Sequence, residues 1–274
     1  MKADKLLQAL EQRGIHTIIG VPDSTLKQFC DGLQNYKGNI NHYVPVNEGA
    51  AVGLAVGSYL ADGKPACVYM QNSGIGNAVN PIASLANRDV YGIPMLFLVG
   101  WRGEPGVKDE PQHVFQGKIT CKLFEVLSIP YEVIDKDTTW EQMESILTEA
   151  FETLSGGEQF AIIVRKGTFE KDVPYTWENG NTLNREEALA TILKEGGHEA
   201  ILVSTTGKIS RELYEQSDAL YGTHENIFMT VGGMGHASMI ALGIAKKRPK
   251  EKIMCIDGDG AALMHMGALA FISS

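Results

Sequence analysis

Apolar positions along the chain follow two rhythms that alternate from one end to the other. Runs such as IHTIIGV (15–21), HYVPV (42–46), ACVYM (66–70), PMLFLV (94–99) and FAIIVR (160–165) are almost continuously apolar. Short β-branched runs of this kind read as strands buried on both faces, the signature of a parallel sheet covered by helices. Between them apolar residues recur every three or four positions. That spacing predicts helices over 24–34, 48–61, 74–86, about 114–128 and 139–154, with a further strand at 131–134. Residues 166–184 (KGTFEKDVPYTWENGNTLN) lose the periodicity and gain Gly, Asn and Pro, as a linker does. A second alternation follows, with helices at 184–195, 209–219 and 235–246 and strands at 199–204, 227–231 and 252–256. A last helix starts near 261.

The pattern predicts an α/β protein with two doubly wound parallel-sheet domains, 1–167 and 185–274, joined by a linker over 168–184. The second half shows three or four strands where such a sheet has about five or six. Its last helix places Leu263, Met266 and Ala270 on one apolar face and has no capping signal after it. The second domain is therefore expected to be truncated.

Bulk properties narrow the function classes. The net charge of −9 argues against nucleic acid and anionic membranes as partners, because both call for a basic face. The N-terminal stretch MKADKLLQALEQRG mixes charge with apolar residues at helical spacing and is no signal peptide. No window approaches the roughly 18 apolar residues of a membrane span. Cys30, Cys67, Cys121 and Cys255 lie far apart in apolar runs without a C-x-x-C pair, and are expected to be buried free thiols of a cytoplasmic protein.

Open α/β sheets bind ligands beyond the carboxyl ends of their strands, and several strand ends here carry chemistry. In VPVNEGAA (44–51) Glu48 opens a helix beside Gly49, Ala50, Ala51 and Gly53. An acid in the first turn also suits the helix dipole, so two readings stand: a structural one, and a carboxylate in an apolar niche that shares a proton with a ligand nitrogen. In TVGGMGHASMIALG (230–243) Gly232, Gly233 and Gly235 make a tight turn around the bulky Met234. In IDGDGAALMHMG (256–267) Asp259 stands between Gly258 and Gly260 at a helix start. Free N–H groups there suit phosphate oxygens, and a carboxylate beside phosphates suits Mg²⁺. An N-cap Asp in a simple turn is the alternative. No G-x-G-x-x-G follows the first strand, which counts against a dinucleotide-dependent oxidoreductase.

Taken together, NEGAA in one domain with GGMG and IDGDGA in the other resemble the thiamine diphosphate-dependent enzymes. GVPDSTLK (20–27), VYMQNSGIGNAVNP (68–81), GWRGEPGVKDEPQH (100–113), STTGKISRELYE (204–215) and DGDGAALMHMGAL (257–269) are similar to the phosphonopyruvate decarboxylase branch, whose close relative is sulfopyruvate decarboxylase. The resemblance implies thiamine diphosphate and Mg²⁺ as cofactors and a 2-oxo acid as substrate. It matches Glu48 to the glutamate that bonds the cofactor pyrimidine, and Gly232 to the carbonyl that accepts from its amino group. Met234 matches the residue that props the cofactor into a bent form. Gly258, Gly260 and Ala261 match the diphosphate turn, and Asp259 the metal ligand. The family's further metal-binding Asn, beyond the Gly-Asp-Gly, is absent from the sequence. A homodimer or higher homo-oligomer is implied, with Glu48 of one subunit facing Asp259 of another.

The anionic tail of a phosphonate or sulfonate substrate needs cations and donors. Candidates are Ser24, Lys27, Asn72, Ser73, Arg102 and Lys108, with the 101–113 loop as a lid. His113 in that loop and Asp23 are candidate proton-handling groups, Asp23 being also a candidate N-cap of helix 24–34. A carboligase using the same cofactor, and a truncated inactive fragment, are the alternative readings.

Overall fold

The computed structural model describes residues 1–171, 173–176 and 179–273. It divides into two compact units, Met1–Thr176 and Trp177–Ser274.

The first unit opens with α1 (Ala3–Gln12), β1 (Thr17–Gly20), α2 (Lys27–Asn35), β2 (Asn41–Tyr43), α3 (Glu48–Asp62) and β3 (Ala66–Gln71). A tight 3₁₀ turn at Asn72–Gly74 then leads into α4 (Ile75–Pro81), which widens into a π turn at Ile82–Ala86 after the proline. The unit continues with β4 (Met95–Gly100), α5 (Pro111–Val126), β5 (Tyr131–Ile134), α6 (Trp140–Ser155) and β6 (Gln159–Val164). The strands form one parallel sheet in the order β2-β1-β3-β4-β6-β5. The chain winds outward from β1 in one direction and from β3 in the other. The crevice at their carboxyl ends is therefore the topological switch point of the sheet, where open α/β sheets take their ligands.

The continuous apolar runs of β3, β4 and β6 are buried on both faces, as the sequence predicts. Leu6, Leu10, Phe29, Tyr69, Leu147 and Phe160 pack on one face, under α1, α2 and α6. Val52, Val68, Phe97, Phe124 and Ile163 pack on the other, under α3, α4 and α5. Each fully buried Leu or Phe stabilises the fold by about 2 kcal/mol relative to exposure. Helix starts are locally encoded: Asn47 caps α3 by accepting from Ala50 N, and Thr139 with Gln142 forms a capping box on α6. The unit extends past β6 because Thr168 and Phe169 are buried, while Tyr175 N donates to Asp31. The unit boundary thus falls at 176/177, inside the segment 168–184 that the sequence marks as linker.

The second unit holds α7 (Arg185–Gly196), β7 (Ile201–Ser204), α8 (Lys208–Tyr221), β8 (Ile227–Met229), α9 (Ala237–Lys247), β9 (Ile253–Ile256), α10 (Asp259–Met264) and α11 (Ala268–Ile272). Among the described residues its parallel sheet has three strands, ordered β8-β7-β9. Leu189, Leu193, Leu202 and Leu213 form a core on the α7–α8 side, and Val203, Ala237 and Ala241 a smaller one under α9.

Two expectations need correction here. The last helix is broken: α10 ends at Met264, His265 leaves helical geometry, and a turn through Gly267 starts α11. Leu263 and Met266 are consequently exposed. Cys255 is exposed, unlike Cys67, because it lies on the edge strand β9 of the small sheet. Burial pushes the Cys67 thiol up to about 12 and the Cys30 thiol to about 11, so neither is a thiolate near neutrality.

Gly20 marks the tightest strand contact in the first unit. It pairs with Tyr69 across β1 and β3, and a Cβ there would lie 2.1 Å from the Tyr69 carbonyl oxygen. Replacing Gly20 with Ala is expected to destabilise the unit by about 2 kcal/mol or more, since backbone has to move. The check is the urea midpoint, which should fall while the slope of the transition stays constant.

Candidate active site

The ends of β1, β3 and β4 bring together residues far apart in sequence. After β1, Asp23 is 6% exposed and folds its carboxylate back on its own turn, where Oδ2 accepts from Thr25 N and Leu26 N at 3.0 and 3.2 Å. This local turn delays α2 until Lys27, so Asp23 is no cap of a helix beginning at 24; Leu26 holds the N-cap position. The other oxygen of Asp23 accepts from Gln71 Nε2 at the end of β3. Gln71 Oε1 in turn accepts from Ser73 Oγ at 2.6 Å. Gly100, ending β4, admits this arrangement: a Cβ there would collide with Asp23 Oδ2.

Asn72 was a candidate substrate contact, and the structure gives it different work. Its side chain is fully buried. Nδ2 donates to Arg102 O and to Thr120 Oγ1, both at 2.8 Å, and Oδ1 accepts from Arg102 N at 3.1 Å. With both donors and the acceptor engaged, the amide fastens the start of the loop after β4 to β3 and α5.

That loop is also less free than a lid. Gly103 and Gly117 meet backbone to backbone, leaving no room for a Cβ at Gly117, and Trp101 Nε1 donates to Gly117 O at 3.0 Å. Arg165 donates from Nε to Glu104 Oε1 at 2.7 Å. Residues 105–108, with Lys108 among them, stand exposed, as do Glu110 and Pro111. His113 does not belong to the loop: α5 begins at Pro111, whose missing N–H is harmless in a first helical turn. His113 is half-buried, and its Nδ1 is buried with no hydrogen-bond partner. Burial and the neighbouring Arg102 cation push its pKa below the ordinary imidazole value, so it is neutral near pH 7.

Arg102 is paired already. Its Nε donates to Asp109 Oδ2 at 2.8 Å and Nη2 to Oδ1, while Nη1 donates to Ser24 Oγ at 3.0 Å. The bidentate bond from Arg102 holds the Asp109 carboxyl far below the usual carboxylate range. Lys27 pairs with Asp31 one turn along α2.

Glu48 sits on the neighbouring rim, 5% exposed. The sequence points only to the small residues of its own helix; a residue outside that helix also shapes the niche. Space comes from Gly74, where a Cβ would lie 2.3 Å from Glu48 Oε1, and Oε2 accepts from Asn77 Nδ2 at 2.7 Å. Gly49 lets α3 approach α4, since a Cβ there would fall 2.8 Å from Asn77 O.

In the second unit the two glycine turns meet. Gly233 and Gly235 have φ of 67° and 88°, a left-handed backbone that favours glycine. A Cβ on Gly260 would lie 3.4 Å from Met234 Cε, which places the half-exposed Met234 over the Gly-Asp-Gly turn. Gly258 caps α10, Ala261 is buried beneath it, Asp259 is exposed, and Gly232 lies on the same rim. Thr205, at the end of β7, is 3% exposed with its hydroxyl unpartnered, and a Cβ on Gly258 would touch its methyl at 3.8 Å. Sequence reasoning passed over Thr205, Asn77, Gln71 and Asp109. Only the motif stretches that contain Thr205, Gln71, Asn77 and Asp109 carried a signal for them.

Each glycine-turn and carboxylate motif now has a structural place, and the class follows. Residues 2–124 match the N-terminal TPP binding domain of thiamine pyrophosphate enzymes, and residues 207–273 match their C-terminal TPP binding domain. The whole chain is 31% identical to phosphonopyruvate decarboxylase of Streptomyces hygroscopicus, covering 70% of that protein. It is 34% identical to sulfopyruvate decarboxylase subunit alpha of Methanococcus maripaludis over 47% of this chain and 74% of that one. It is 39% identical to sulfopyruvate decarboxylase subunit beta of Methanocaldococcus jannaschii, over 32% of this chain and 44% of that one. The chain belongs to the phosphonopyruvate decarboxylase family of thiamine pyrophosphate enzymes.

Replacing Asn72 with Ala should leave Thr120 and the Arg102 backbone without their buried partner, at about 1–3 kcal/mol. Thermal unfolding measures the loss. Hydrogen exchange should show faster exchange at Arg102 than in the unaltered chain.

Proposed function

We propose that the chain carries the machinery for thiamine diphosphate- and Mg²⁺-dependent decarboxylation of 3-phosphonopyruvate to phosphonoacetaldehyde and CO₂. The observation that carries this reading is the Glu48 niche, a buried carboxylate held by Asn77 in space that Gly74 leaves open. It stands in a chain that aligns over its full length with a phosphonopyruvate decarboxylase.

The residues present fit the cofactor at both of its ends. On the first unit, Glu48 offers the pyrimidine nitrogen a carboxylate shielded from water. On the second, the Gly258–Gly260 turn and the open Thr205 hydroxyl offer donors to a diphosphate. Met234 stands over that turn as a prop, and Gly232 supplies a carbonyl on its rim. Asp259 would hold Mg²⁺. Diphosphate oxygens bound at the same turn would share that ion. When bound, thiamine diphosphate supplies the electron sink that decarboxylation of a 2-oxo acid requires.

The chain's own residues bind, orient and move protons. Arg102 and Ser24 would receive the phosphonate, with Ser73 on the rim; the charge of Lys27 is met by Asp31, and Lys108 stands exposed on the loop. His113, neutral and with Nδ1 open, is placed to hold or release a proton at that atom. Asp23 would orient Gln71 and, through it, the substrate end of β3. Water exclusion would come from the tethered loop at 101–104 rather than from a moving lid.

A homo-oligomer is the proposed assembly. Tyr43 at the end of β2, Val44 and Val46 after it, and Leu54 and Leu60 on α3 expose apolar side chains. A cytoplasmic location fits the thiols, and among the described residues no helix is long and apolar enough to cross a membrane. Sulfopyruvate is the second substrate reading, favoured by similarity to the two sulfopyruvate decarboxylase subunits.

The test is CO₂ release from phosphonopyruvate, sulfopyruvate and pyruvate with thiamine diphosphate and Mg²⁺. Turnover of sulfopyruvate alone would overturn the substrate assignment. Glu48→Gln should abolish hydrogen–deuterium exchange at the cofactor thiazolium carbon and lower turnover by about 10²–10⁴-fold, the range for losing a proton-handling group. Undiminished exchange in that variant, followed by NMR, would refute the role of Glu48.

A further inference from the structure

The proposed substrate cation raises a difficulty that the geometry itself answers. Arg102 is the natural receiver of a phosphonate, yet its guanidinium edge is filled by Asp109. The pair is largely shielded, with side chains 21% and 13% exposed. Asp109 also accepts from Gly103 N and Glu110 N, both at 2.8 Å. The carboxylate thus sits in the fork where a ligand oxyanion would sit, and offers the same planar pair of oxygens. Around the fork stand Asp23 and Glu110, two further carboxylates, and the neutral His113. The resting site has no surplus of positive charge to draw in an anion.

We propose that Asp109 is the specificity-determining residue of this site: its carboxylate occupies the Arg102 fork as an internal stand-in for the substrate tail, and is displaced by a dianionic tail but not by a monoanionic one. The inference rests on the reading of Arg102 as the receiver of that tail.

The physical argument is a competition for one cation. A monoanion offers Arg102 the charge it already has from Asp109, and forfeits the two backbone bonds that Asp109 makes to its own loop. A dianion offers twice the Coulomb attraction at the same distance, and in a shielded site that difference is weakly screened. A phosphonate with its second proton removed meets the condition, whereas a sulfonate carries one charge at any working pH. The loop permits the exchange. Residues 101–104 stay fastened by Asn72 and Arg165, while exposed 105–108, with Gly106 at φ 85°, link them to Asp109. Asp109 can swing outward without loosening the strand end beneath it. Ser24 keeps Nη1 of Arg102 in place during the exchange.

The test measures binding of phosphonoacetate and sulfoacetate by calorimetry at pH 8, on the full chain with thiamine diphosphate and Mg²⁺ present. The unaltered chain should prefer phosphonoacetate by at least about tenfold, and Asp109→Asn should bring the ratio close to one, chiefly by tighter sulfoacetate binding. The variant keeps one acceptor oxygen and exchanges the other for an NH₂ donor, so it removes both the charge and half of the oxygen pair that fills the fork. Should it fail to fold, the unaltered chain still decides: its preference should collapse at pH 6, where the phosphonate loses its second charge. At pH 6 both tails are monoanions, so any change in the charge of His113 acts on both alike and cancels from the ratio. A preference that survives both Asp109→Asn and the shift to pH 6 overturns the role of Asp109 and leaves the substrate reading intact. Failure of either anion to bind any form of the chain overturns the substrate reading, and this inference with it.

Discussion

The amide of Asn72 is the fixed point of the first unit's functional rim. A buried amide is tolerated only when its polar atoms are paired, and here both donors and the acceptor are engaged. The requirement locks the turn after β3 in one conformation. On one side the turn presents Gln71 to Asp23 at the end of β1. On the other it presents Gly74 and Asn77 to Glu48 at the start of α3. The proposed cofactor-facing carboxylate and the proposed substrate pocket therefore share one short piece of backbone. A shift of that piece would move both together, which is how a chain can keep two partners of one reaction in register without a rigid link between them.

Electrostatics explain why an acidic chain can still be built around an anionic substrate. A net charge of −9 gives no long-range attraction for a 2-oxo acid with a charged tail. Recognition has to be local, and at this rim it is: Arg102 with Asp109, Lys27 with Asp31, and Arg165 with both Glu104 and Asp135. Paired cations hold geometry well and attract anions poorly. Discrimination then falls to whichever ligand best replaces an internal carboxylate, rather than to the field of the protein as a whole.

The sheet was legible in the sequence because its physics is short-ranged. Continuous runs such as MLFLV need no distant information to be read as doubly buried strands, and the capping residues Asn47 and Thr139 lie next to the helices they start. Glu48 and Asp259 come forward as candidates for the same reason, each standing in a local motif at a strand end. What escaped was every partnership across the sheet. Asn77 lies 29 positions from the Glu48 it bonds, and Asn72 lies 48 from Thr120. Nothing local to Asn72 separates a residue that touches substrate from one that ties backbone. Asp109 escaped differently: among the polar residues of the loop its acid looks like solvated charge, and only the fold brings it to Arg102. His113 was misplaced by the proline before it, which reads as a loop but occupies the first turn of α5.

The groups left without partners show where ligands belong. Most buried polar atoms in this chain are satisfied, and the satisfied ones are the scaffold: Asn72, Asp23, and Gln159, whose amide donates to Ala86 O and Ile93 O. Among the described residues, His113 Nδ1 in the first unit and Thr205 Oγ1 in the second are buried without a hydrogen-bond partner. Leaving such an atom unpaired costs about 1–3 kcal/mol, a penalty that selection for stability alone would remove by substituting an apolar residue. Each lies at the carboxyl end of its own sheet, one beside the Arg102 fork and the other beside the Gly258 turn. In the proposed site the missing partners would come from outside the chain: a proton acceptor or donor at His113, and an oxygen acceptor at Thr205. These two positions coincide with the proposed substrate end and the proposed diphosphate end of one reaction.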